Sequence, residues 1–242
     1  MKNSDEIKKT YNKIAQAYHQ KRLNPADSTW NDYLEKPAME AMLKPLVKDK
    51  KVLDLGCGTG ILTNELISWG AKAEGVDLSE EMIALAKENY PEIKFITASS
   101  EKMPYTDDNF DLVASSLVMH YLNDLQPTLS EIARVLKPAG SFIFSMHHPF
   151  NESFDLNKEK VDGRPVLQPY FHKESYYWRM CGADILSFHH TFEDIIKNLK
   201  ANGFVLADLY ECRPEISAKE IFADYEFTSN YPTFCVFHAR LK

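Results

Sequence analysis

The sequence predicts an α/β protein, a doubly wound parallel sheet with helices on both faces, and three observations carry that expectation. Short apolar runs alternate with segments of three- and four-residue apolar spacing over the first 150 residues. The first run, Lys51-Val52-Leu53-Asp54-Leu55, leads into Gly56-Cys57-Gly58-Thr59-Gly60, with glycine at every second position. A second run, Ala73 to Asp77, ends in an acid before Leu78 and Ser79, and Ser79 caps a helix that buries Met82, Ile83, Leu85 and Ala86.

The remaining elements follow in chain order. Ile7, Tyr11, Ile14, Ala15 and Tyr18 make the apolar stripe of an N-terminal helix. A helix is expected from Ile61, a third strand over Ile93–Thr97 after the turn at Pro91, and a fourth over Phe110–Ser115. Leu125, Leu129, Ile132, Ala133 and Leu136 define an amphipathic helix stopped by Pro138 and Gly140, and Ser141–Met146 is a fifth strand. In the last third, Thr191 caps a helix ending at Asn202-Gly203, with strands over Phe204–Leu209 and Thr233–Ala239. A single domain over 1–242 is expected, divided into a helical cap (1–48), a cofactor core (49–147), an insertion (148–190) and the end of the sheet (191–242).

The glycine spacing distinguishes two kinds of nucleotide site. A dinucleotide fingerprint requires G-x-G-x-x-G. Here Ile61 stands at the sixth position and the third glycine comes one place early. Asp54 adds a carboxylate unsuited to a pyrophosphate but suited to an ammonium group. Asp77 can accept both hydroxyl protons of a ribose, which fits S-adenosylmethionine and NAD alike.

The Asp54-x-Gly56-x-Gly58-x-Gly60 pattern resembles motif I of the class I S-adenosylmethionine-dependent methyltransferases, of the small-molecule, type 11 kind. Tyr11-Asn12-Lys13-Ile14-Ala15-Gln16-Ala17-Tyr18 looks like the Y-D-x-x-A-x-x-Y segment that precedes the sheet in that family and folds over the cofactor cleft. Thr97-Ala98-Ser99-Ser100-Glu101 is similar to the segment that lines the adenine, with Ser99 in place of the family's Asp. Arg134 to Gly140 resembles the family's R-V-L-K-P-G-G turn. The resemblance implies a seven-stranded Rossmann-like sheet of order 3-2-1-4-5-7-6, the last strand antiparallel. It also implies S-adenosyl-L-methionine as cofactor and S-adenosyl-L-homocysteine as product. Cofactor contacts are expected at Tyr11, Tyr18, Asp54, Gly56, Cys57, Gly58, Thr59, Gly60, Asp77, Leu78, Met82, Ser99, Ser100, Glu101, Ser115 and Ser116.

After the fourth strand this chain reads Ser115-Ser116-Leu117-Val118, where amino-methyltransferases of DNA and protein glutamine carry Asn or Asp with Pro-Pro and an aromatic. Amide and exocyclic-amine acceptors are therefore disfavoured. The expected acceptor is a small, partly apolar metabolite, met by in-line displacement in a closed cleft. Ligands of open α/β sheets lie beyond the carboxyl ends of the strands, where the aromatic-rich insertion emerges. Its Tyr176–Met180 and Ile185–His189 can pair as a hairpin over the cleft. Substrate-side candidates are His120, Tyr121, His148, Tyr176, Tyr177 and Trp178, and His120 and His147 are candidate bases because they follow strand ends.

Composition narrows the rest. Lys and Arg total 28 against 35 Asp and Glu, a net charge of −7 without a basic tract, so a nucleic-acid partner is not expected. Four scattered cysteines fit neither a metal site nor a disulfide framework, and His147-His148 and His189-His190 point to opposite faces, so no metal is expected. No membrane segment or export signal is read, which suggests a cytoplasmic monomer or homodimer. The alternatives are a non-catalytic protein that binds S-adenosylmethionine or S-adenosylhomocysteine, and an NAD-dependent oxidoreductase.

Overall fold

The computed structural model describes residues 2–155, 166–167, 169–171 and 175–242. Helix α1 (Lys2–Leu23) is followed by a π-helical turn (Asn31–Glu35) that runs into α2 (Lys36–Val47). Then come β1 (Lys51–Leu55), α3 (Ile61–Ser68), β2 (Lys72–Asp77), α4 (Glu80–Asn89), β3 (Phe95–Thr97) and β4 (Phe110–Ser115). Next are α5 (Gln126–Val135), β5 (Leu136–His147), the short pair β6 (Phe154–Asp155) and β7 (Val166–Leu167), and the hairpin β8 (Ser175–Met180) and β9 (Ala183–Phe188). Helix α6 (Phe192–Ala201), β10 (Phe204–Glu211), α7 (Tyr225–Asn230) and β11 (Phe234–Leu241) complete the chain.

The main sheet runs β3-β2-β1-β4-β5-β11-β10, which is the expected 3-2-1-4-5-7-6 order counted over its own seven strands. Strands β1 to β5 are parallel, and β11 enters antiparallel between β5 and β10. Alternation along each strand feeds two cores. Leu53, Val113, Phe142, Phe144 and Phe237 pack with α5 and α6, whereas Val52, Leu112, Ile143 and Val236 pack with α2 and Leu66 of α3.

Two boundaries differ from the sequence expectation. Helix α5 stops at Val135, three residues before Pro138, and β5 starts at Leu136. Pairing slips between Phe110/Leu136 and Leu112/Ser141, so Lys137–Gly140 form a bulge in which Ala139 has φ 62°. The hairpin forms as expected, but its turn is only Cys181-Gly182, with φ 52° and 77°. Positive φ at both central residues belongs to the turn whose twist matches two antiparallel strands. In the insertion, residues 156–165, 168 and 172–174 and the Phe154 side chain lie outside what is described.

Candidate active site

Strand β1 delivers the chain into a loop whose glycines, Gly56, Gly58 and Gly60, all have positive φ (73°, 52° and 83°). The loop is tied to the end of β2. The amides of Gly56 and Cys57 donate to the Val76 carbonyl at 2.7 and 3.0 Å. The Gly58 amide donates to Asp77 Oδ2 (2.9 Å), while the Ser79 amide donates to Oδ1 (2.8 Å). Each carboxylate oxygen thus keeps a lone pair for a further donor. Burial pushes the Asp77 carboxyl above its ordinary value, opposed by the amides of Ser79, Gly58 and Leu78.

Above this loop lies a cavity of about 740 Å³. Its cofactor end is walled by Gly56, Gly58, Asp77, Leu78 and Met82, then by Ser99, Ser100, Glu101 and Ser116. Tyr11 and Tyr18 reach in from α1, and Tyr121 from the turn after β4. The other end carries His147, Tyr176, Tyr177, Trp178 and Phe234. Helix α1 lies across the opening: Asn12 joins the Ser79 hydroxyl (2.6 Å) and Glu80 (3.1 Å), and Tyr177 of the hairpin donates to Glu6 (2.9 Å).

Several expected contacts do not line the cavity. Asp54 is 1% exposed beneath the loop, where Thr63 Oγ1 donates to it at 2.6 Å, and burial raises its carboxyl to about 7. Strand alternation turns it away from the ligand space. Cys57 is buried with Ile83, Ala86 and Phe95. Thr59 turns back to His19 Nδ1 (3.0 Å), and the space beside Gly60 is filled by Phe95 and Tyr90. Ser115 donates to the Leu55 carbonyl (2.9 Å), so its hydroxyl is spent inside the sheet. His148 faces away, 3.0 Å from Glu211, on the opposite side of β5 from His147.

The two candidate bases are stacked, ring centroids 3.8 Å apart and 11° between planes. His120 is fully buried behind His147, and only His147 reaches the cavity. Burial, with His147 and His190 nearby, holds His120 well below the ordinary histidine range, and burial lowers His147 to about 3. Both rings are therefore neutral at physiological pH.

Two acids at the site had no sequence signal. Glu35, in the π-helical turn, is 2% exposed and accepts from the hydroxyls of Ser116 (2.7 Å) and Ser145 (2.5 Å), and burial raises its carboxyl. Glu152 lines the cavity and takes the Tyr176 phenol proton (3.1 Å) on one oxygen, with His189 Nδ1 at 2.8 Å from the other. Burial pushes Glu152 up to about 6 against these hydrogen bonds. Among the described residues, no group of three His, Cys, Asp or Glu side chains could hold a metal.

The site fits S-adenosylmethionine. A Cβ on Gly58 would meet only Tyr18, at 3.9 Å, so the space over the loop is open to a ligand atom. Asp77 has lone pairs free for ribose hydroxyls, and the walls carry Asp27, Asp77, Glu101, Asp124 and Glu152 against Lys8, Lys21 and Arg179, a balance that favours a cation.

Residues 53–144 match the family described as a methyltransferase domain. A solved S-adenosylmethionine-dependent methyltransferase from Mesorhizobium loti superposes with TM-score 0.71 at 29% identity, over 85% of this chain and 97% of that one. An uncharacterized protein of Haemophilus influenzae is 30% identical over 209 residues, 80% of this chain and 81% of its own length. The chain belongs to the class I S-adenosylmethionine-dependent methyltransferase family. The family's cofactor is the one the glycine loop implied, and the NAD-dependent alternative gives way to it. The chain is also similar to the demethylmenaquinone methyltransferase of Chlorobaculum tepidum, 40% identical over 94 residues. That match spans 38% of this chain and 39% of the Chlorobaculum protein. No helix among the described residues is long and apolar enough to cross a membrane.

Proposed function

We propose that the protein transfers a methyl group from S-adenosylmethionine to a small, partly apolar acceptor. The observation that carries this reading is one continuous cavity, with the Gly58–Asp77 cradle at one end and the Trp178, Phe234 and His147 wall at the other. Its volume lies in the range of small-molecule sites. When bound, the cofactor supplies an electrophilic methyl on a sulfonium that leaves as a neutral thioether. Asp77 holds the ribose, and Ser99 and Ser100 face the adenine. Helix α1 and the β8–β9 hairpin exclude water, so that positioning the acceptor supplies much of the rate. Trp178 is fixed by donation to Ser187 (3.0 Å) and meets His147 edge to face, ring centroids 5.2 Å apart, so the two rings form one aromatic wall suited to an unsaturated acceptor. The demethylmenaquinone in the name of the Chlorobaculum relative, a quinone, is flat and unsaturated. The four free thiols suit the reducing cytoplasm.

Thermal unfolding with S-adenosylmethionine, S-adenosylhomocysteine and NAD tests the reading. Ligand at 100 times its Kd adds about 2.7 kcal/mol, a rise of roughly 5–10 °C for a chain of this size. The first two should raise the Tm and Asp77→Ala should abolish the rise. A rise with NAD alone sinks the proposal. Transfer of labelled methyl to a panel of small acceptors then separates an enzyme from a cofactor-binding protein, which would bind and never transfer.

A further inference from the structure

The single proton of the Tyr176 phenol sets the tautomer of His147. Tyr176 Oη lies 3.0 Å from His147 Nδ1 and donates to Glu152 Oε1 at 3.1 Å. A phenol has one proton, so Oη must accept from His147, whose proton is therefore on Nδ1. The far side of Glu152 does not change this. His189 Nε2 lies 2.7 Å from the Tyr170 carbonyl, which only accepts, so that nitrogen carries hydrogen. Whether the proton between His189 Nδ1 and Glu152 Oε2 sits on the ring or on the carboxyl, Oε1 remains an acceptor towards Tyr176.

His147 thus keeps a bare lone pair on Nε2. That nitrogen has no hydrogen-bond partner among the described residues, and the ring lines the cavity. His120 is set the other way. The His147 amide donates to its Nδ1 over 3.4 Å, so its proton is on Nε2, which is buried without a partner among the described residues. Of the two rings only His147 offers a base to the cavity, and the His120 ring stacked behind it holds its plane.

We propose that His147 Nε2 is the general base for an acceptor bearing a weakly acidic hydroxyl on unsaturated carbon, with Tyr176 and Glu152 as the residues that position it. This rests on the methyl-transfer reading above. A carboxylate acceptor is already ionised, needs no base and would face the acidic walls. An alkylamine is protonated at neutral pH and would bring a second cation beside the sulfonium, whereas a neutral arylamine attacks with its own lone pair and sheds its proton afterwards. A neutral phenol or enol must lose its proton as it attacks. Its oxygen forms the new bond to the methyl carbon, the carbon–sulfur bond breaks with its electron pair left on sulfur, and the O–H proton passes to Nε2. The positive charge moves from sulfonium to imidazolium, so the buried site carries the same net charge before and after. Burial disfavours a charged His147 ring, so the imidazolium forms only as the sulfonium charge disappears, and it is steadied by its Nδ1–H bond to Tyr176 and, behind it, Glu152.

The test is imidazole nitrogen NMR of the full chain labelled with 15N-histidine, assigned with His147→Gln and His120→Gln. At pH 7.5 His147 should show a protonated Nδ1 and a bare Nε2, and Tyr176→Phe should erase that preference. Turnover of 1-naphthol with S-adenosylmethionine should fall 10²–10⁴-fold in His147→Gln, as for loss of a general base. In Tyr176→Phe kcat should fall with the naphthol KM unchanged. A hydrogen on Nε2, or His147→Gln working at the wild-type rate, overturns the assignment. Methylation of benzylamine but not 1-naphthol overturns the acceptor class. The tautomer is read without turnover, so a hydrogen on Nε2 overturns the assignment whichever probe is methylated. Cofactor affinity, measured separately by calorimetry, reports failure of the underlying methyltransferase reading.

Discussion

Tyr11 of α1 donates its phenol proton to the phenol of Tyr121 across 2.6 Å, joining residues 110 apart in the chain over the mouth of the cavity. The rings meet edge to face at 5.5 Å, and Tyr11 also meets Tyr18 edge-on at 6.2 Å. Burial, with Tyr121 and Tyr18 beside it, holds the Tyr11 phenol well above its ordinary value, so it stays a donor throughout the physiological range. The N-terminal helix is thereby tied to the turn that follows β4.

Tyr11→Phe removes that donor and keeps the ring. One neutral hydrogen bond is worth about 0.5–1.5 kcal/mol, so S-adenosylmethionine affinity should fall by roughly 2–10-fold. Calorimetric titration of the variant against the wild type measures it. Equal affinities would mean that α1 rests on the sheet without closing the site.

The glycines separate folding from binding. At Gly58 an added methyl meets only Tyr18, at 3.9 Å, but the positive φ costs about 1–2 kcal/mol. Gly58→Ala should therefore fold with a modest loss of Tm and lose more than tenfold in cofactor affinity, because the methyl occupies the ligand's space. At Gly75 an added Cβ would lie 2.7 Å from Phe95 Cδ1 and 2.8 Å from Cys57 Sγ, so Gly75→Ala should lose stability first. Normal binding by Gly58→Ala would place the cofactor elsewhere.

Ser99 lines the cavity where the family resemblance places an adenine-facing carboxylate, and its hydroxyl accepts from the Glu101 amide at 3.2 Å. Ser99→Asp keeps an acceptor for that amide and offers a charge-assisted bond to an exocyclic amine. The difference between neutral and charged acceptors, about 1 kcal/mol, corresponds to roughly fivefold tighter binding. Weaker binding of both S-adenosylmethionine and adenosine by this variant would remove Ser99 from the adenine site.

Local chemistry was legible, and the long-range partners of the buried acids were not. Strand β4 falls on the expected Phe110–Ser115, and Thr191 forms a capping box with Asp194. Each depends on residues within one element. The cofactor end was also readable, because Gly58 and Asp77 are joined through one strand–helix unit. Glu35 and Glu152 were invisible because hydroxyls 81 and 110 residues from Glu35, and a phenol 24 residues from Glu152, define their roles. Asp54 was misread for a related reason. Its motif position says that it lies near the loop, while the partner beneath, Thr63, decides which way its carboxyl faces.

That buried carboxyl gives a pH signature. Burial first, then the nearby Asp77, raises Asp54 to about 7, with Thr63 acting in the opposite sense. In the unfolded chain an Asp titrates near 3.9. Between roughly pH 4 and 7 the folded protein therefore holds a proton that the unfolded chain has lost, and this group's contribution makes stability fall as pH rises through that window. Above about 7 both states are ionised and the destabilisation is constant. Asp54→Asn carries no charge, and its amide oxygen can still accept from Thr63. It should gain stability over the wild type by an amount that is full above about pH 7 and fades towards zero below about 4. Glu35 and Asp77 are also raised and push the wild-type curve in the same direction, so the difference between variant and wild type is the quantity to read. Urea denaturation at pH 5 and pH 8 measures it. Equal gains at the two pH values would show that Asp54 is already ionised at pH 5 in the folded protein.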